Sequence, residues 1–165
     1  MRVDAVEELY RLYAPVVYKY LMCLCHDPAL AEDLTADTFE AALRGIHRFR
    51  GEAKLPVWLC AIAKRKYYMH LRRHGKVQQV PIEDAPLVSP QDIEREYTER
   101  EDKLDFYRAL QTLPGDTREV FYLRLSGDMT FDEIGSVLGR SGSWARGVFY
   151  RGKEKIKRRL HEDGN

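Results

Sequence analysis

The chain has 165 residues, 44% of them hydrophobic and 32% charged, with a net charge of +1. No run approaches the roughly 18 consecutive apolar residues that a membrane helix requires, so membrane insertion is not expected. Three cysteines, Cys23, Cys25 and Cys60, without a C-x-x-C pair argue against a disulfide framework and a four-ligand zinc site; buried free thiols are expected.

The N-terminus, MRVDAVEELYRLY, carries acids where a signal peptide would carry a basic segment and then an apolar one, which predicts a cytoplasmic location. Helical spacing dominates the chain, and no segment alternates as a strand would. A first helix is predicted from Val3 to Cys25, with Val6, Leu9, Tyr10, Tyr13, Val17, Leu21 and Leu24 along one stripe and Pro15 as a candidate kink. A second helix opens at DPALAED, where Asp27 can cap and Pro28 takes the first-turn position that costs no hydrogen bond. It is predicted to run to about Phe49, and RGEAKLP reads as a loop.

The next helix, WLCAIAKRKYYMHLRRH, changes character along its axis. Trp58, Leu59, Ile62 and Ala63 suit a core, whereas the second half interleaves Lys64, Arg65, Lys66, Arg72 and Arg73 with Tyr67 and Tyr68. From Gly75 to about Asp92 the periodicity dissolves around Pro81, Pro86 and Pro90, which marks a linker. Helices resume near Ile93, with Leu104, Tyr107, Leu110 and Leu113 as an apolar face, until Pro114-Gly115 breaks them. A further helix is predicted over Thr117 to Leu125, followed by a turn at SGDM.

TFDE is a capping box, in which the Thr130 hydroxyl accepts an end N–H while Glu133 reaches back. Phe131, Ile134 and Leu138 form the buried face of this short helix. GRS supplies a tight turn, with Gly139 suited to a left-handed residue and Ser141 to the next cap. The last helix buries Ala145, Phe149, Gly152, Ile156 and Leu160. A short helix, a glycine turn and a longer basic helix make a helix-turn-helix, whose second helix enters the major groove by its first turns. That places Ser143, Trp144, Arg146, Gly147 and Tyr150 near bases or phosphates.

The small net charge conceals a strong asymmetry. Arg44 to Arg73 holds nine bases against the single acid Glu52, and Arg140 to Arg159 holds eight against Glu154. Between them, Gly75 to Glu101 holds three bases against seven acids. Two basic patches flanking an acidic connector point to two separate contacts with one polyanion.

The stretch DPALAEDLTADTFEAALRGIHRFRGEAKLPVWLCAIAKRKYYMHLRRH resembles region 2 of the extracytoplasmic-function (ECF) sigma factors of bacterial RNA polymerase. LPGDTREVFYLRLSGDMTFDEIGSVLGRSGSWARGVFYRGKEKIKRRL is similar to their region 4. The resemblance implies an all-α protein of two small helical domains on a flexible linker: region 2 over residues 1–74, linker over 75–97 and region 4 over 98–165. It further implies that Asp33, Leu34, Asp37, Phe39 and Glu40 bind the clamp helices of the polymerase largest subunit, with a second contact at the flap. Arg50, Lys54, Lys64, Arg65, Lys66, Tyr67, Tyr68, Arg72 and Arg73 would capture the −10 promoter strand. Arg140, Ser141, Ser143, Trp144, Arg146, Gly147, Tyr150, Arg151 and Lys153 would read the −35 duplex.

No catalytic residue, metal or cofactor is implied, whereas an anti-sigma partner, which could hold the protein at the membrane, is. The sequence departs from the family pattern at Ala36, Arg65, Met69, Trp144 and Gly152, positions that bear on promoter preference. Two rivals are a stand-alone helix-turn-helix regulator with an N-terminal sensing or partner-binding domain and a metal-dependent nuclease using the acid cluster Glu32, Asp33, Asp37 and Glu40. The second lacks a histidine or further acid at convincing ligand spacing.

Overall fold

The computed structural model describes residues 3–51, 53–75 and 100–163, and all regular structure among them is helical. The helices are α1 (Val3–Cys25), α2 (Pro28–Gly45), α3 (Leu55–Arg73), α4 (Arg100–Gln111), α5 (Gly115–Leu125), α6 (Phe131–Leu138) and α7 (Gly142–Asp163). The expected linker and the helical start near Ile93 lie outside the described residues.

Local chemistry sets most helix ends. Asp27 accepts from the N–H groups of Ala29 at 3.1 Å and Leu30 at 3.3 Å, with Pro28 leading the first turn of α2. α1 runs unbroken through Pro15, which is exposed and therefore costs a backbone bond without disturbing the core. α2 stops at Gly45 and a 3-10 turn follows over Ile46–Arg48, earlier than the expected end at Phe49. Phe49 instead folds back onto Trp58, with ring centroids 4.9 Å apart.

Val17, Tyr20 and Leu21 of α1 pack with Ala31, Leu34, Phe39 and Ala42 of α2 and with Val57, Leu59, Cys60, Ile62 and Ala63 of α3. The predicted α1 stripe is only partly buried: its core residues sit in the second half, and Tyr10 is 47% exposed. Two hydroxyls buried in this core, on Thr35 and Thr38, donate to the carbonyls of Ala31 and Leu34 at 2.6 and 2.7 Å, so neither is left unsatisfied.

The C-terminal helices form a helix-turn-helix, and α4, α5 and α7 enclose a small second core. Glu133 accepts from the Thr130 N–H at 2.9 Å, and the Thr130 hydroxyl accepts from the Glu133 N–H at 3.2 Å, closing the capping box of α6. Gly139 ends α6 at φ +69, where a side chain would be strained. The Ser141 hydroxyl then accepts the Trp144 N–H at 3.1 Å and caps α7. Phe106, Leu110 and Leu113 of α4 and its following turn pack with Phe121 and Ile156.

Instead of standing apart, the two helix groups share a core. Val120, Leu123, Met129, Ile134, Val137, Ala145 and Val148 are continuous with the α1–α3 interior. α3 lies against α6 and α1 against α5. The Tyr122 hydroxyl donates to the Val16 carbonyl at 3.0 Å, 106 residues away. Chain pattern reveals which faces are apolar, but not that both groups place apolar faces against each other.

Gly152 sits where α7 crosses α5: a Cβ there would meet Phe121 Cε2 and Thr117 Cγ2, each at 2.7 Å. Gly152→Ala gains about 1 kcal/mol of helix propensity but overpacks the crossing by about 1–3 kcal/mol. A thermal melt should therefore show a lower Tm, by roughly 2–4 °C per net kcal/mol lost. Burial pushes the Cys60 and Cys23 thiols up to about 12. At pH 8 the thiolate of Cys60 is then about one part in ten thousand. Iodoacetamide should leave Cys60 intact in the native chain and modify it promptly in urea.

Candidate nucleic-acid interface

Three surfaces carry the residues singled out from sequence. On α2, Asp33, Asp37 and Glu40 are exposed, with Glu40 paired to Arg44 one turn on at 2.6 Å. Leu34 and Phe39 are not part of that surface. They are 4% and 5% exposed, because they fall on the α2 stripe that faces α1 and α3. The expectation that they supply apolar docking area is corrected: both belong to the core, and an exposed apolar group packed on Phe39 is Tyr10 of α1. Its ring lies edge-on to Phe39 at 4.9 Å. Tyr10 was missed because its helical spacing reads as core.

The second surface follows α3. Arg50 and Lys54 precede the helix, and Arg65, Tyr68, Arg72 and Arg73 are exposed along it, while Lys66 is partly buried. The tyrosines divide their duties. Tyr67 is partly buried and donates to the Leu24 carbonyl at 3.1 Å, and burial pushes its phenol above the ordinary range. Tyr68 is 48% exposed, leaving a free ring face for stacking, and the Lys64 ammonium lies 5.2 Å from its centroid.

Lys64 itself does not stand on an open track. Its ammonium donates to both oxygens of Glu119 on α5, at 3.1 and 3.0 Å, with side-chain exposures of 12% and 7%. The Tyr20 hydroxyl also donates to Glu119, at 3.5 Å. Burial pushes the Glu119 carboxyl above the usual carboxylate range, and Lys64 pulls it part of the way back. The sequence-based placement of Lys64 on free DNA-facing surface is thus corrected by a partner 55 residues away. Lys54 lies 3.8 Å from Glu133, the capping-box acid of α6.

The third surface is the start of α7. Arg140, Ser141, Ser143, Arg146, Tyr150, Arg151 and Lys153 are exposed, and Trp144 and Gly147 are partly buried. Arg140 lies over the Trp144 ring at 5.3 Å. An open cleft of about 680 Å³ runs between α5, α6 and α7, lined by Arg124, Phe131, Arg146, Gly147 and Tyr150 among others. Phe131 carries two guanidinium groups, Arg124 at 4.4 Å and Arg146 at 5.6 Å. Arg124 is further held by donating to the Met129 carbonyl at 2.9 Å. A Cβ on Gly147 would meet only the end of the Arg151 side chain, at 2.9 Å, so internal packing does not demand this glycine. Sequence reading overlooked Arg124 and took Phe131 for core; a basic residue in the last turn of the helix that precedes the helix-turn-helix was the available signal.

Among the described residues no group of three or more His, Cys, Asp or Glu could hold a metal ion. No described helix is long and apolar enough to cross a membrane. The three surfaces present an exposed acidic face, a basic and aromatic track, and the exposed start of the second helix of a helix-turn-helix.

Comparison with known proteins matches two separate stretches of the chain. Residues 9–77 match the family description "Sigma-70 region 2", and residues 103–156 match "Sigma-70, region 4". The RNA polymerase sigma factor CarQ of Myxococcus xanthus is 33% identical over 161 residues, covering 96% of this chain and 91% of that protein. RNA polymerase sigma factor YlaC of Bacillus subtilis is 29% identical over 160 residues, covering 95% and 92%. The ECF RNA polymerase sigma factor SigM of Bacillus subtilis is 26% identical over 154 residues, covering 92% and 93%. In fold, the chain is similar to the sigma factor RpoE of Bartonella quintana, solved in complex with the anti-sigma factor NepR. The TM-score is 0.71 at 20% identity, over 96% of this chain and 98% of that one. With both region descriptions matched in order and full-length relatives on either side of 30% identity, the chain belongs to the sigma-70 family of RNA polymerase sigma factors, in its extracytoplasmic-function group.

Proposed function

We propose that this chain directs core RNA polymerase to promoters as a sigma factor with no catalytic chemistry of its own. Residues 1–74 would hold the polymerase and the −10 strand, 75–97 would connect, and 98–165 would read the −35 duplex. The observation that supports this is the presence in one chain of two unlike exposed surfaces: a helix-turn-helix with its α7 start exposed, and a separate basic track bearing the exposed Tyr68 ring. A groove-reading helix suits duplex DNA, whereas a cationic track with a free ring suits a single strand.

Asp33, Asp37 and Glu40, with Tyr10 beside them, would dock on the basic clamp helices of the polymerase largest subunit. Arg146 and Tyr150 would enter the major groove while Arg124 and Lys153 neutralise phosphates. A cytoplasmic location follows from this role. RpoE is bound by NepR, and an anti-sigma protein of that kind is proposed for this chain too.

Run-off transcription on a pool of promoter fragments should give specific products only when the chain and core polymerase are both present. Asp33→Lys combined with Asp37→Lys should abolish co-purification with core polymerase while leaving −35 duplex binding and the helical circular dichroism intact. Normal transcription by that double variant would refute the docking assignment. Tyr68→Ala should weaken single-strand capture by about 1–3 kcal/mol. Arg146→Ala should cost about 1–3 kcal/mol at one −35 position and relax the preference there; band shifts on systematically varied duplexes would read it.

A further inference from the structure

The cleft between α5, α6 and α7 is lined by arginines and by an acid, Asp132, which is exposed in the first turn of α6. A carboxylate on a surface that meets a polyanion weakens its contacts with phosphate, because the charges have the same sign. Its place there calls for a partner other than phosphate.

Gly142, the first residue of α7, shows where that carboxylate stands. A Cβ on Gly142 would meet it, with the carboxyl carbon of Asp132 at 2.9 Å and its Cα at 3.1 Å. The acid of α6 therefore fills the space into which the first side chain of α7 would grow, and any other residue at 142 would push it aside. Gly142 and Arg146 lie one helical turn apart on the same face of α7, and both line the cleft. Among the described residues no hydrogen bond or ion pair engages the Asp132 carboxylate, so its oxygens are free to accept.

We infer that Asp132 is a specificity-determining residue of the duplex-reading surface: it supplies from α6 the side chain that Gly142 lacks, and it selects cytosine. The inference rests on the −35 assignment of the preceding subsection and adds to it a reader from outside α7. An ionised carboxylate only accepts hydrogen bonds. In the major groove cytosine presents its N4 amine, whereas guanine presents the acceptors N7 and O6, and thymine presents O4. Adenine sets its N7 lone pair beside its N6 amine. Cytosine alone offers a donor with no acceptor next to it, and the negative charge turns guanine and thymine away. Arg146, which only donates, has the opposite preference and suits guanine.

The carboxylate also lies where the dipoles of α6 and α7 both favour a negative charge. Removing it lowers the Tm whether or not it reads a base, so the discriminating readout is the base profile. The test uses holoenzyme formed from the full chain and core polymerase. Promoter duplexes varied through the −35 element are presented as a pool, and the bound fraction is sequenced. Wild type should favour cytosine about tenfold at one position. Asp132→Ala should remove that preference and leave the other positions as they were. Gly142→Ala keeps the acid but displaces it, and should lose the same preference. An Asp132→Ala chain that binds all duplexes more weakly, with the cytosine preference intact, would show the acid to be merely structural and overturn the inference. Arg146→Ala in the same pool separates the two readings. If it relaxes a preference while Asp132→Ala changes none, only the role of Asp132 falls. If wild type forms no holoenzyme or shows no −35 preference, both fall.

Discussion

A carboxylate taken out of water must find a cation, and Glu119 finds its cation on another part of the chain. That requirement ties α5 to α3 and, through Tyr20, to α1. The surrounding apolar contacts between the halves are non-directional and would tolerate sliding. The ion pair tolerates little, because displacement leaves both groups unpaired at low exposure. The mutual orientation of the helix groups therefore follows from one charged contact set inside an apolar seam. The shared core supplies area and the pair supplies register.

This also explains the axial division of α3. Its first turns belong to the α1–α3 core through Leu59, Ile62 and Ala63, and its last turns expose Arg65, Tyr68, Arg72 and Arg73. Lys64 stands at the junction and is buried with the first group although its chemistry belongs to the second. A helix with that gradient is held firmly at one end and presents a cationic ladder at the other. Tyr67 extends the anchored part by one further bond to α1, leaving Tyr68 as the free ring.

Much of the fold was legible because its signals are local. The Asp27 cap, the Thr130 and Glu133 box, the left-handed Gly139 and the Ser141 cap each act within four residues, and all appear in the folded chain. The close packing at Gly152 was legible too, since a glycine on an otherwise bulky stripe marks the point where two helices approach most closely. What escaped was set at long range. Tyr10 and Phe39 have equally good helical spacing, and only the packing of α1 on α2 decides which is covered. The fate of Lys64 depends on an acid 55 residues on, across a segment without periodicity. The recognition helix was identified by its turn, whereas the two guanidinium groups on Phe131 come from separate helices that only folding brings together.

Phe131 has a consequence for how the recognition helix would meet a duplex. Long arginine side chains sample many rotamers in water, and freezing them at the moment of binding subtracts from affinity. Here an aromatic ring of α6 holds Arg146 of α7 at 5.6 Å and Arg124 of α5 at 4.4 Å. Part of that ordering is completed when the protein folds, so the arm proposed to reach the groove would arrive already aimed. Base preference at that position would then be encoded partly in a residue that touches no base. A search for specificity determinants confined to contacting side chains would pass over it.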